Sequence, residues 1–428
     1  MATIVTGTDR PLRRAETPRL VLRCAHADDV VGAIRLARER GLPLAVRGGG
    51  RHPAGPGDGG VLDLRALSRV VLDRASGTIE VGGGACWAAV AAATAGTGLG
   101  VAGLPEPTVG VAGSTLDGGF GDLRRAYGLA CDDLVGADVV LADGRRVTTS
   151  GDEHPELLWG LRGGGGNFGV VTALRFRLRP VPSMLLAGTV WFAAPSGDAD
   201  RLRWYRDYTT DLGPEVSTRL GLYPTGHPAV PGALRDRRVI GVSATTLSPR
   251  GRAELDVAPI RTSGPGLADG LTWRPAGTTG GLGWDGPAAV DSWYLAGLPE
   301  AVLDALLERH AALPAGPGEL LVHHLGGVVA RVTGMSGAAP HRAATYLVTA
   351  RAGWREPAAE QPARQWLAGT AAALGPHAVG GPHPGFCSER PAAAVVYGPE
   401  RALRLTALKT RFDPDNAFAG TVDVFPLG

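Results

Sequence analysis

The sequence predicts an α+β protein of more than one part, and three observations carry that prediction. Short β-rich runs alternate with short helical ones from Pro18 to Leu178. Pro180-Val181-Pro182 then marks a change of texture. From residue 183 to about 380, strands alternate with longer helix-like runs such as AVLDALLERHAAL and PARQWLAGTAAAL, the pattern of helices covering a sheet.

The elements follow in chain order. PRLVLRC (Pro18 to Cys24) reads as a strand. Asp28 and Asp29 favour a helix N-terminus, Val30, Ala33, Ile34 and Ala37 recur at helical spacing, and Gly41 stops the helix. LPLAVR is a second strand and runs into a glycine triplet. VLDL, VVLD and TIEV, between Val61 and Val81, are three short strands, and CWAAVAAAT is a helix. In VVLADGRRVTT, Asp143-Gly144 between two β-rich runs signals a hairpin. PELLWGL is a short helix, and GGGGNFG leads into VVTALRFRL, where Leu174, Phe176 and Leu178 alternate with Arg175 and Arg177 as in a half-buried strand. LRLTALKTRF near the C-terminus reads as a helix ended by Asp413-Pro414.

Composition narrows the function classes. The chain has 428 residues, 43 basic and 41 acidic, for a formal charge of +2. That balance gives no drive toward nucleic acid or an anionic membrane. The 65 glycines and 33 prolines are spread through strand-like segments, so they read as loops and turns. Cys24, Cys86, Cys131 and Cys387 are far apart and fit a reduced, cytoplasmic protein, with one disulfide left open. The N-terminal stretch lacks an apolar leader, and no run of about 18 apolar residues follows. The expected partner is a small molecule, acting on a monomer or homodimer. No metal is expected: His323 and His324 are adjacent on a strand, so their rings point apart, and no HExxH or carboxylate cluster is present. Gly164, Gly166 and Gly169 spell GxGxxG, but in the order helix, loop, strand. A dinucleotide fingerprint needs strand, loop, helix, so a Rossmann reading is rejected.

Five motifs occur together and in order: RGGG (Arg47 to Gly50), GVAGSTLDGGFGDLRRAYGLACDDL (Gly110 to Leu134), the DG hairpin, LLWGLRGGGGNFGVVT (Leu157 to Thr172) and YGPERALRLTALKTRFDPDNAF (Tyr397 to Phe418). In this the chain resembles the berberine-bridge-type branch of flavoprotein oxidases, built on a vanillyl-alcohol-oxidase-like (PCMH-type) FAD domain. The resemblance implies an FAD domain of two α/β subdomains over residues 1–182, a substrate domain over 183–385 and a C-terminal segment, 386–428, returning to the FAD domain. It implies hydride removal from a substrate carbon and reoxidation by oxygen, on alkaloids, sugars or polyketides. Its cofactor contacts map to Arg47, Gly48, Gly49, Gly50, Arg51, Asp117, Gly118, Gly119, Gly121, Gly166 and Val171.

Four departures from the family pattern stand out. The flavin-linking histidine of the usual RGGGHS is replaced by Arg51, with His52 one residue late. The second linking residue, a cysteine in stretches like VCPTVG, is replaced by Glu106, so either an Arg51–Glu106 ion pair sits where the flavin edge normally sits or the two are solvated loop charges. No covalent His or Cys link is expected, and any FAD is held non-covalently or is absent. Asp117 interrupts the usual glycine triplet. A carboxylate ~5 Å from a phosphate costs roughly 3 kcal/mol at an effective dielectric of ~20, unless it turns to solvent or meets Arg124 or Arg125. Finally, GGPHPGF puts His383 and Gly385 where relatives carry Tyr and Asn, and AGTVDVFPLG replaces the usual terminal RLNQNI. His383 then stands as a candidate general base, its unperturbed pKa being near neutrality, and Tyr294 as a residue orienting a carbonyl or phenol. Two functions follow. One is an FAD-dependent oxidoreductase of specialised metabolism. The other is a flavin-independent cyclase or isomerase that reuses the old pocket, with charged groups polarising the substrate.

Overall fold

The computed structural model describes residues 3–5, 20–49, 59–103, 106–194, 199–277 and 286–427. Strands Thr3–Val5 (β1), Leu20–Arg23 (β2), Leu44–Arg47 (β3) and Gly60–Asp63 (β4) form a first sheet in the order β1-β2-β4-β3. β2 and β3 both run parallel to β4. Helix Ala27–Glu39 (α1) crosses between β2 and β3 and buries Val30, Ala33, Ile34 and Ala37, the predicted stripe. Asp29 closes its N-terminus, its carboxylate accepting the amides of Ala25 and His26 at 3.0 and 3.1 Å.

A second sheet is antiparallel throughout. It contains Val70–Asp73 (β5), Thr78–Gly82 (β6), Leu134–Val140 (β8), Arg146–Thr149 (β9) and Val170–Arg177 (β10), in the order β5-β6-β10-β8-β9. β8 and β9 are the Asp143-Gly144 hairpin. Leu99–Gly100 (β7) pairs with Arg179–Pro180 (β11). Helices Trp87–Thr94 (α2) and Pro155–Leu161 (α5) pack on the second sheet; between them in the chain come the short helices Val111–Leu116 (α3) and Arg124–Tyr127 (α4), and α4 lies against the strand Val216–Tyr223. α5 precedes the GGGGNFG loop and β10 follows it, the order that excluded a Rossmann reading.

The remaining sheet has eight strands. They are Met184–Ala193 (β12), Val216–Tyr223 (β13), Val239–Thr246 (β14), Gly266–Asp269 (β15), Thr272–Pro275 (β16), Ala288–Leu295 (β17), Glu319–His324 (β18) and Tyr346–Gly353 (β19). The order is β15-β12-β14-β13-β18-β19-β17, with β16 also on β12. One face holds Leu220, Leu222, Val322, Val348 and Trp293. Helices Ala199–Thr210 (α6), Arg250–Thr262 (α7), Glu300–Ala311 (α8) and Glu360–Leu374 (α10) cover it, while Val328–Arg331 (α9) lies against α4. Alternation sends the neighbouring residues to the opposite face, toward the first two sheets. The last helix, Ala393–Phe412 (α11), begins well before LRLTALKTRF and is broken at Gly398 (φ +75°), just ahead of Pro399. It packs on α5, so the C-terminal segment returns to the first half of the chain.

Candidate flavin and substrate site

β3 ends at Arg47 and delivers Gly48 and Gly49 to the start of α3 with no room for side chains on the two glycines. A Cβ on Gly49 would lie 2.3 Å from the amide nitrogen of Gly110 and 3.3 Å from Cys86 Sγ. A Cβ on Gly48 would lie 2.9 Å from the carbonyl of Gly83. Gly83 in turn abuts the carbonyl of Val171, a buried residue of β10. The Val111 amide is taken by the Ala85 carbonyl at 2.9 Å, but the next amides of α3, those of Ala112 and Gly113, have no acceptor within the helix, so this crevice offers backbone N–H groups of the kind that hold phosphate. Gly119 (φ +78°) packs on Ala130, and Gly121 packs so tightly on Gly103 that its Cβ would lie 2.0 Å from that carbonyl. Gly118 (φ +116°) continues the bend, whereas Gly166 is in ordinary contact with Leu116. Gly50, Arg51 and His52 lie outside the described residues, and so does any Arg51–Glu106 pair. Glu106 itself accepts a hydrogen bond from Thr108 Oγ1 at 2.9 Å.

Asp117 sits at the far end of α3 from Gly110, about 10 Å along the axis at 1.5 Å per residue. It is buried and accepts a hydrogen bond from Thr421 Oγ1 at 2.7 Å. Neither the solvent nor Arg124 or Arg125 receives it, contrary to the two relief routes expected from sequence. Both arginines instead enter the eight-stranded sheet. Arg124 donates to the carbonyls of His324, Thr218 and Gly121 at 2.9–3.1 Å. Arg125 donates to the carbonyls of Val216, Leu212 and Leu325 and to His324 Nε2. Burial pushes the Asp117 carboxyl up to about 7, against the pull of Thr421. A raised folded-state value means that stability is intact below the ordinary carboxylate pKa and is lost as pH rises toward 7. Asp117→Asn is therefore expected to stabilise the protein at pH 8 by on the order of 3 kcal/mol relative to wild type, and to make little difference at pH 4. Urea unfolding at the two pH values checks this, and an equal offset at both would refute it.

Over the Gly118–Gly121 bend stands a cluster of rings. Phe120 meets His323, His383 and Phe386 edge-on at 5.1, 5.9 and 6.3 Å, with the Arg124 guanidinium 4.7 Å from its centroid. His383 is buried, with its amide held by Ser292 Oγ at 2.9 Å and its Nδ1 accepting the Gly385 amide at 3.0 Å. An accepting Nδ1 places the ring proton on Nε2, which has no hydrogen-bond partner among the described residues and lies 3.6 Å from the Cβ position of Gly118. Burial, and then the charge of His341, pushes this imidazole down to about 3. The near-neutral general base expected from the unperturbed pKa is corrected here: His383 presents a neutral N–H donor.

Tyr294 is buried on the same side, 4.9 Å from the His341 ring and 6.3 Å from His383, and burial raises its phenol. Strand register aligns Thr189, Ser243, Arg219, His323, Leu347 and Tyr294 as one row across the sheet. His323 faces this side, its Nε2 3.3 Å from Thr349 Oγ1, while His324 faces the other way against Arg125 and Tyr346. Sequence reasoning missed Phe120, His323 and Arg219 as site residues. The one available signal was Arg219 itself, a charge inside the strand VSTRLGLY. Among the described residues no three metal-ligating side chains stand together, and no helix is long and apolar enough to cross a membrane.

A glycine-lined crevice beside a sheet-roofed cluster of rings defines an FAD-dependent oxidoreductase of the PCMH-type fold. The FAD binding domain family matches residues 18–150. The chain is 31% identical to (R)-6-hydroxynicotine oxidase of Paenarthrobacter nicotinovorans, over 97% of this chain and 93% of that one. The crystal structure of 6-hydroxy-D-nicotine oxidase from Arthrobacter nicotinovorans superposes with a TM-score of 0.88 at 27% identity, covering 100% and 98% of the two chains. A berberine bridge enzyme variant shares the fold, with a TM-score of 0.82 at 19% identity over 96% and 91%. The chain belongs to the berberine-bridge-enzyme-like family of FAD-linked oxidoreductases.

Proposed function

We propose that this protein oxidises a small polyketide- or alkaloid-type molecule of specialised metabolism, using FAD held without a covalent bond. The observation that carries the linkage is chemical: arginine and glutamate occupy positions 51 and 106, where the family's linking histidine and cysteine stand. Neither side chain forms the usual bond to the flavin ring.

The residues present suit the cofactor. Gly48, Gly49 and Gly110 approach one another as only glycines can, and their amides would hold the pyrophosphate. When bound, FAD supplies a hydride acceptor for a substrate C–H bond. The chain's own groups then orient and shield. His383 Nε2–H offers a fixed donor to negative charge, since its other nitrogen is already committed to Gly385. Arg124 ties the Phe120 bend to the backbone of β13 and β18, which closes this side against water. The phenol of Tyr294 stays protonated and serves as a polar contact for the substrate. The carboxyl at position 117 lies about 10 Å along α3 from Gly110 and, with its pKa pushed up to about 7, is mostly uncharged well below that pH, so it does not oppose a phosphate at Gly110.

The visible spectrum before and after acid precipitation tests this reading. Yellow colour released into the supernatant is expected. Colour retained in the pellet would overturn the non-covalent linkage. A colourless protein that takes up no added FAD would overturn the oxidative reading and favour the cyclase.

A further inference from the structure

Arg219 is the one charged side chain in the row Thr189–Ser243–Arg219–His323–Leu347–Tyr294. It is half-buried, and no hydrogen bond or ion pair within the described residues engages it; its Nε is fully buried and unpartnered. The charges that act on it stand off. Tyr223, then Asp122 and Glu319, favour its cationic form without a hydrogen bond to it; Glu319 stands 3.6 Å from His227, which burial holds towards the neutral form, and 3.7 Å from Arg351. Arg124, the like charge nearby, is spent on backbone carbonyls. Every other arginine brought to this interface has carbonyl partners or a carboxylate: Arg124, Arg125 and Arg342, the last forked onto Asp132 at 2.6 and 2.8 Å. A guanidinium whose Nε is removed from water and given no acceptor is costly to keep. Its planar fork matches an anionic oxygen pair, and charge-assisted bonds of that kind are the strong ones.

The surroundings specify the rest of the ligand. His323 is the neighbour of Arg219 across the strand pair, and it contacts Phe120 edge-on and Phe386 face to face at 6.5 Å. Flat apolar groups therefore adjoin the cation. Asp122 lines a cleft with Trp87, Leu99, Val181 and Leu185, and Leu185 shares the sheet face of Thr189.

We propose that Arg219 anchors an acidic oxygen of an aromatic substrate, a carboxylate or a phenolate, and holds its ring against the His323–Phe120 cluster. This rests on the oxidoreductase reading for the identity of the pocket as a substrate site. Arg219 is a binding residue here, not a reacting one.

Calorimetric titration of the purified holoprotein with benzoate, 4-nitrophenolate and benzamide tests it, with flavin content recorded on the same samples. At least one of the two anions is expected to bind tenfold or more tighter than neutral benzamide, and which one separates carboxylate from phenolate. Arg219→Gln should weaken that anion tenfold or more and leave benzamide unchanged. Arg219→Lys keeps the charge but loses the fork, so it should weaken the anion at least threefold; it carries the test if the glutamine variant does not fold. Equal binding of anions and amide, no anion binding at 10 mM, or variants that bind like wild type would each overturn the proposal. Anion binding by a protein without flavin would sink the oxidative reading and leave Arg219 as an acid anchor. Flavin without anion binding would do the reverse.

Discussion

Replacing Lys409 with methionine is expected to cost about 3–5 kcal/mol of stability, the penalty for stranding a buried charge. Lys409 is the chain's only lysine and is fully buried, as is its partner Asp413 at 2.6 Å. Its ammonium also donates to the carbonyls of Asn167, at 2.9 Å, and Phe418. Asp413 accepts the amides of Ala417 and Phe418 at 2.8 and 2.9 Å. Asn167 takes the Gly420 amide at 2.9 Å. One ion pair therefore fastens α11, the turn after it and the GGGGNFG loop together. Methionine fills the space but leaves Asp413 charged and buried, with three donor bonds gone. Asp413→Asn in the same chain should recover part of the loss, because the amide oxygen still accepts from the backbone. Urea unfolding of the two single variants and the double variant measures the coupling. Strict additivity would show that the pair does not act as a unit. The loss is large against the 5–15 kcal/mol that folded proteins hold in reserve.

That clamp bears on what the sequence could and could not disclose. Elements with local causes were legible: the Asp143-Gly144 hairpin, the α1 stripe between Asp29 and Gly41, and the helix–loop–strand order around GGGGNFG. The motifs carried the family. What stayed hidden was contact between distant residues. Asp117 and Thr421 are each departures from the family pattern, and they meet in one hydrogen bond across 304 positions. Read alone, Asp117 was a charge against a phosphate; its burial makes it a carboxyl that titrates at about 7, at the far end of α3. His383 shows the same limit. Its position was legible, but its proton was not, because burial and the Gly385 amide fix its tautomer and depress its pKa. Arg124 and Arg125 looked like counterions for a carboxylate, yet their acceptors are carbonyls on strands about 90 to 200 residues away.

Gly49→Ala is expected to empty the protein of flavin, whereas Gly166→Ala, made in the other glycine-rich motif, should keep it. The contrast comes from what each new methyl group would meet. At Gly49 the Cβ falls 2.3 Å from the nitrogen and 2.4 Å from the Cα of Gly110, both backbone atoms. The loop after β3 must retreat by about 1 Å to restore ordinary contact. Retreat moves the Gly48 and Gly49 amides away from those at the start of α3, so one phosphate can no longer be held from both sides. Each charge-assisted bond lost costs about 1.5–3 kcal/mol, so losing one or two raises the FAD dissociation constant by roughly a hundredfold. At Gly166 the nearest atom is Leu116 Cδ1 at 3.8 Å, an ordinary contact with a side-chain tip. Flavin fluorescence quenching on reconstitution of the two apoproteins gives both constants. If the two variants bind FAD equally well, the pyrophosphate is not held between β3 and α3, and the close approach of Gly49 to Gly110 serves only to pack the first sheet against the second.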